Sequence, residues 1–189
     1  MITENKNKQA NVEVTVTSLE KTIELQQQRL SNLEDRERRN NMIVFGIPEA
    51  NNETAADLEQ KVIRDIFFGQ LGVTVTSVER IHRLGPKRQD KNRPVILRVY
   101  NYNEKQLVFK NCRKLKNTPV SVSDDYSKET VEKRRQLWNS GRQEKRNGDK
   151  VRLVYDKLFV NDVAYVWDSV TNTRVQQSAQ VMPMASQQN

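Results

Sequence analysis

From Val12 onward a heptad seam recurs in alternating steps of four and three, apolar except at Gln26 and Glu37: Val12, Val16, Leu19, Ile23, Gln26, Leu30, Leu33 and Glu37. That spacing puts Val16, Ile23 and Leu30 at the a positions of a heptad and Val12, Leu19, Gln26 and Leu33 at the d positions. The residues around them are almost all Glu, Gln, Lys, Arg, Ser or Thr. A helix packed on its own domain normally carries a wider apolar stripe. So narrow a seam asks for another copy to cover it, and residues 12–39 are read as a coiled coil that self-associates. Gln26 would set register at a cost in stability. About three heptads are marginal alone, so weak association, or further helix upstream of Met1, is expected.

The last turns of the seam, Arg29-Leu30-Ser31-Asn32-Leu33-Glu34, resemble the Arg-h-x-x-h-Glu pattern of parallel trimers. There the g-position Arg, here Arg29, packs across the seam and pairs with the e-position Glu of a neighbouring helix, here Glu34. A homotrimer is the expected state. Residues 1–11 are polar and are expected to be disordered.

After the heptad, MIVFGIP is a short apolar run closed by Gly46 and Pro48, which reads as a buried strand. A helix follows, with Leu58, Val62, Ile66 and Phe67 at helical spacing and Gly72 as its stop. VTSVERIHRL and RPVILRVYN read as strands, NEKQLVFKNCRKLK as a helix with Asn103 and Gln106 as its cap, and VSVSD as a fourth strand. The order over residues 40–126 is βαββαβ, the split arrangement that RNA-recognition-motif domains share. From Ser127 a second helix with a basic side runs to Gly148. Two or three short strands, folded over Asn161 and Asp162, complete a small α/β unit over 127–168. Trp138, Tyr165 and Trp167 are expected in its core. Residues 169–189 are read as a disordered tail. The fold class is thus α+β: a coiled-coil helix, a βαββαβ domain of recognition-motif type and a small C-terminal domain.

Charge suggests a partner. Glu79–Lys116 holds twelve Lys or Arg against three Asp or Glu, a local +9 in a chain whose formal total is +8. The excess lies on predicted strands, a loop and a helix, so it reads as one face of a folded domain, suited to a polyanion. Candidate phosphate contacts are Arg80, Arg83, Lys87, Arg88, Arg93, Arg98, Lys110, Arg113 and Lys114. In the usual recognition motif, aromatics on strands one and three stack bases. Here Val44 falls at the first such position, and Tyr100 is the one aromatic candidate on the third strand. Phosphate contacts would therefore carry most of the affinity. Residues 128–157 add ten basic residues against five acidic ones and would form the second wall of a cleft.

Other classes find little support. No run of about eighteen apolar residues, signal segment or lipidation motif suggests a membrane, and a soluble intracellular protein is expected. Cys112 is the only cysteine, which excludes an intrachain disulfide and a cysteine-based zinc site; it reads as a small core residue, and no cofactor is expected. An enzyme is not expected either. His82 is the only histidine, and Asp124 and Asp125 form the best acidic pair without a third carboxylate nearby in sequence.

The motifs ERRNNMIVFGIPE, ERIHRLG, RPVILRVY, CRKLK, SKETVEKRRQLW and YDKLFVNDVAYVWD, in that order and spacing, resemble the first-reading-frame protein of long interspersed, non-LTR retrotransposons. The chain is similar as well to the baculovirus few-polyhedra protein family. The resemblance spans roughly residues 12 to 168. It implies a homotrimeric, sequence-tolerant binder of single-stranded RNA, with DNA as a second ligand, that coats the element's transcript as a nucleic-acid chaperone in a cytoplasmic or nuclear ribonucleoprotein. It implies contacts from Arg83, Arg113, Lys114, Arg134, Arg135, Tyr155 and Lys157. Mammalian relatives have Tyr-Pro-Ala-Lys-Leu where this chain has one residue fewer between Tyr155 and Lys157, and its coil is shorter than theirs. The alternative is a coiled-coil structural or protein-interaction module of viral or host origin without intrinsic RNA specificity.

Overall fold

Residues 2–87 and 91–177 are described by a computed structural model of the chain. The chain divides into two compact units, 1–126 and 127–189. The first opens with helix α1 (Ile2–Glu37). Residues 2–11, expected to be disordered, are thus helical. Nothing from Ile2 to Glu37 is Pro or Gly, so once the helix is nucleated by the seam nothing stops its extension toward the N-terminus. Val12, Val16, Leu19, Ile23, Leu30 and Leu33 are all exposed along it.

A 3-10 turn, Arg38–Asn40, leads into β1 (Asn41–Phe45). Gly46 follows in the left-handed region at φ +80, where a Cβ would lie 2.0 Å from the Pro119 carbonyl oxygen; only glycine fits so close to another backbone. Helix α2 (Ala55–Glu59) starts at a capping box, in which the Thr54 side chain accepts from Asp57 N–H and Asp57 accepts from Thr54 N–H. It runs on as a π-helical stretch, Gln60–Leu71. Hydrogen bonds from Gly72 N–H to Phe68 O and from Val73 N–H to Phe67 O end it.

The remaining elements of the first unit are β2 (Val78–Arg83), β3 (Val95–Val99), α3 (Tyr102–Asn111), a 3-10 turn (Cys112–Leu115) and β4 (Ser121–Asp124). The α3 cap is Asn101, whose side chain accepts from Asn103 N–H, not Asn103 itself. All pairings are antiparallel, in the order β2-β3-β1-β4. Met42, Val44, Ile81, Val95, Leu97 and Val99 face a core closed by Leu58, Val62, Ile66 and Phe67. Cys112 packs against this core. Burial pushes its thiol up from the ordinary range, which leaves a poor nucleophile.

In the second unit, α4 (Lys128–Ser140) is capped by the Ser127 hydroxyl and is followed by α5 (Arg142–Arg146). A four-stranded antiparallel meander follows: β5 (Val151–Val154), β6 (Lys157–Val160), β7 (Val163–Asp168) and β8 (Thr173–Gln176). Asn161 and Asp162, both at positive φ, make the β6–β7 turn. Strand β8 lies in the segment read as a disordered tail. It lacks an apolar alternation and is held instead by Arg174, which pairs with Glu144 and stacks over Tyr165 at 4.6 Å. Residues 178–189 of that tail lie outside the described residues.

The core of the second unit is small. Leu137, Leu158 and Val160 are buried, with Val151, Leu153, Tyr165 and Trp167 packed around them. Trp138, expected there, lies outside it and is 37% exposed. One step along a helix rotates a side chain by about 100°, and Leu137 takes the inward position.

Candidate nucleic-acid interface

Because side chains alternate along a strand, burial of Met42 and Val44 turns Asn41, Ile43 and Phe45 to the opposite face of the β1 sheet. The register aligns Asn41 with Arg98 and Arg98 with Arg80 in one row, and Ser123, Ile43, Ile96 and His82 in the next. Val44 is therefore a core residue. Its neighbour Phe45, which strand alternation places on the opposite face, is 40% exposed. Tyr100, just past β3, is 63% exposed.

The basic candidates separate by whether a carboxylate or carbonyl already holds them. Arg98 pairs with Glu37 and with Glu79 at 3.0 Å. Its hydrogen bond and charge hold the Glu37 carboxyl below the usual range, with Arg80 adding to the field. Arg80 itself is exposed and forms no ion pair among the described residues.

Arg83 is held by its own unit. Its side chain is 5% exposed. Nε donates to Glu53, Nη1 to the Ile47 and Arg93 carbonyls, and Nη2 to the Pro48 carbonyl and Glu53. A guanidinium has five N–H donors, and all five are engaged, so none is left for phosphate. Glu53 also receives Lys61 at 2.6 Å. The Arg83 hydrogen bond holds its carboxyl below the usual range against the opposing effect of burial.

Arg93 is committed in the same way. It donates to both Glu49 oxygens and to the Gly85 carbonyl, and its hydrogen bond lowers the Glu49 pKa to about 2. Together Arg83 and Arg93 fasten the chain after β1 to the facing ends of β2 and β3. A cavity of about 510 Å³, lined in part by His82 and Lys87, lies beside them. Lys87 donates to Asn51 at 2.8 Å. Arg88 lies outside the described residues.

On the α3 side, Lys110 and Arg113 are exposed without an ion pair among the described residues, as is Lys116. Lys114 differs: its Nζ donates to the Leu71 carbonyl at 2.6 Å and so helps to end the α2 helix. Lys105, which the sequence did not single out, is 2% exposed. Its ammonium meets the Arg39 and Asn41 carbonyls and Asp124 at 2.7 to 2.8 Å, which satisfies its three protons. Asp125 accepts from Arg38 and Asn41. The acidic pair is thus taken up by structural contacts, and the described residues hold no cluster of three potential metal ligands.

In the second unit, Arg134 donates to the carbonyl of Tyr155, which sits at φ 48 in the β5–β6 turn. Lys157 opens β6 beside it, so Arg134, Tyr155 and Lys157 are brought together while Arg135 points elsewhere. Arg135 pairs with Glu132 at 2.7 Å and stays 64% exposed. A surface pair of this kind contributes about 0–1 kcal/mol, so a phosphate can compete for Arg135 in a way it cannot for Arg83. Arg142, Lys145 and Arg146, absent from the candidates, are exposed around Trp138.

No protein-family model matches the chain. No helix among the described residues is long and apolar enough to cross a membrane.

The Glu49 and Glu53 pairings predict an acid-labile first unit. A carboxylate whose folded pKa is depressed contributes stability above its unfolded value, and that stability is lost as pH falls through the folded one. The urea midpoint of unfolding should hold above pH 5 or so and fall from about 4.5 toward about 2. A midpoint that stays level across that window would contradict the assignment.

Proposed function

We propose that the chain binds single-stranded RNA with little sequence preference, chiefly through its phosphates, and serves as the coat and chaperone of a retroelement ribonucleoprotein. The observation that carries this reading is the set of exposed cations without a carboxylate partner among the described residues. They include Arg80, Lys110, Arg113 and Lys116 in the first unit and Arg142, Lys145 and Arg146 in the second. Such cations can release phosphate counterions on binding without first breaking an internal pair.

The element order βαββαβ and the strand order β2-β3-β1-β4 favour a recognition-motif-like first domain. Phe45 and Tyr100 on its outer face could add stacking. The retroelement setting rests on the sequence resemblance. Arg135 on α4, and Tyr155 and Lys157 at the β5–β6 turn, add to the proposed contacts, whereas Arg83, Arg93 and Lys114 are engaged by the fold.

The exposed seam of α1 supports self-association, and the Arg29–Glu34 motif favours a trimer. Within one chain Glu34 accepts from Arg38 at 2.6 Å, so pairing with a neighbour's Arg29 would compete with that contact. The same seam also fits the structural-module reading, which needs the coil but not the cations.

Binding of the whole chain to labelled single-stranded RNA should weaken steeply with salt. Each neutralised phosphate adds about 0.7 to the log-log slope. Replacing Lys110, Arg113 and Lys116 together by Ala should lower the slope by about 2 and weaken U-rich and mixed sequences alike. A slope of zero would favour the structural module, and a loss confined to one sequence would argue against a phosphate reader. For the seam, sedimentation should show oligomers that the double substitution Ile23→Glu and Leu30→Glu reduces to monomer. An unchanged sedimentation profile would remove the coil from the account.

A further inference from the structure

Trp138 is the large aromatic of α4 that the second core leaves out. Arg142, Lys145 and Arg146 follow it at four, seven and eight residues, the spacing of one helical face. The two helices meet at Gly141, where a Cβ would lie 2.9 Å from Leu158 Cδ2 and 3.4 Å from Val151 Cγ1. The backbone there rests directly on the sheet, and Trp138, 37% exposed, borders this junction.

A cavity of about 310 Å³ lies here, lined by Trp138, Gly141, Arg142, Lys145, Arg146 and Val151. Lys145 Nζ sits 4.6 Å from the centroid of the indole. The nearest acid in sequence, Glu144, is held by Arg174. Arg142, Lys145 and Arg146 form no ion pair among the described residues.

An exposed indole and three cations without a carboxylate partner among the described residues make different demands on a ligand. The cations call for phosphates or carboxylates, and the indole calls for a flat π-system. An acidic peptide meets only the first demand, whereas a nucleotide meets both. We propose that this pocket is a nucleotide subsite, in which one base of a single-stranded nucleic acid stacks on Trp138 while the flanking phosphates engage Arg142 and Arg146. The inference rests on the RNA-binding reading and adds to it a base contact that a phosphate-only reader lacks. Lys145 leaves the ring on binding and joins the phosphates. The exchange is favourable because an exposed cation–π contact is weaker than base–aromatic stacking.

The test compares two ligands on the full chain: oligouridylate, and a ribose-phosphate strand of equal length without bases. The wild type should prefer oligouridylate by about five-fold to about a hundred-fold. Trp138→Ala should lower that preference by about five-fold or more while still binding the abasic strand as the wild type does, which also shows that the variant is folded. Trp138→Phe should retain much of the preference. Oligouridylate should quench the tryptophan fluorescence of the wild type but not that of Trp138→Phe, whose remaining indole is Trp167. If Trp138→Ala binds both strands like the wild type, the subsite is wrong and the phosphate reading stands. Quenching that persists in Trp138→Phe, or an equal loss on both strands in Trp138→Ala, also overturns the subsite. No binding of either strand by the wild type overturns both readings.

Discussion

Asp125 joins the two ends of the first unit. It accepts from Arg38 through both carboxylate oxygens, at 3.0 and 3.1 Å, and from the Asn41 side chain at 2.8 Å. Arg38 lies where the long helix turns into β1, and Asp125 follows the last residue of β4. A carboxylate so far removed from water requires such partners. Next to it Lys105 gathers Asp124 and two backbone carbonyls from the same turn. The exit of α1 from the sheet is therefore set by charge and hydrogen bonding, while the apolar seam stays exposed.

Charge pairing also decides what the basic excess can do. Arg83, Arg93 and Arg98 look no different in the sequence from Arg80, Arg113 or Arg146. Each of the first three has found carboxylate partners, and for the Arg83–Glu53 pair, with both side chains 5% exposed, removing one member costs about 3–5 kcal/mol. The +9 segment is consequently a mixture of internal fasteners and exposed cations, and only the second group is available to a polyanion without disturbing the fold.

Local signals made much of the architecture legible. The MIVF run, the helical spacing of Leu58, Val62, Ile66 and Phe67, and the Asn161-Asp162 turn are each decided by a few neighbouring residues, and the mixed α+β class follows from them. What could not be read depends on distant partners. Arg83 meets Glu53 across 30 positions of sequence, and Lys105 meets the turn before β1 across more than 60. Strand β8 is held by one arginine instead of an apolar pattern. Leu137 and Trp138 are both apolar neighbours on a helix, and only packing against Leu158 selects which one points inward. The candidate interface was legible as a charge and not as a set of residues.

The central claim is that the cations without internal partners form the nucleic-acid interface. Lysine acetylation of the whole chain, with and without saturating single-stranded RNA, tests it residue by residue. RNA should slow modification of Lys110, Lys116 and Lys145 and leave Lys61, which is held by Glu53 and the Pro48 carbonyl, unchanged. Equal rates at Lys110, Lys116 and Lys145 in the presence of bound RNA would contradict it.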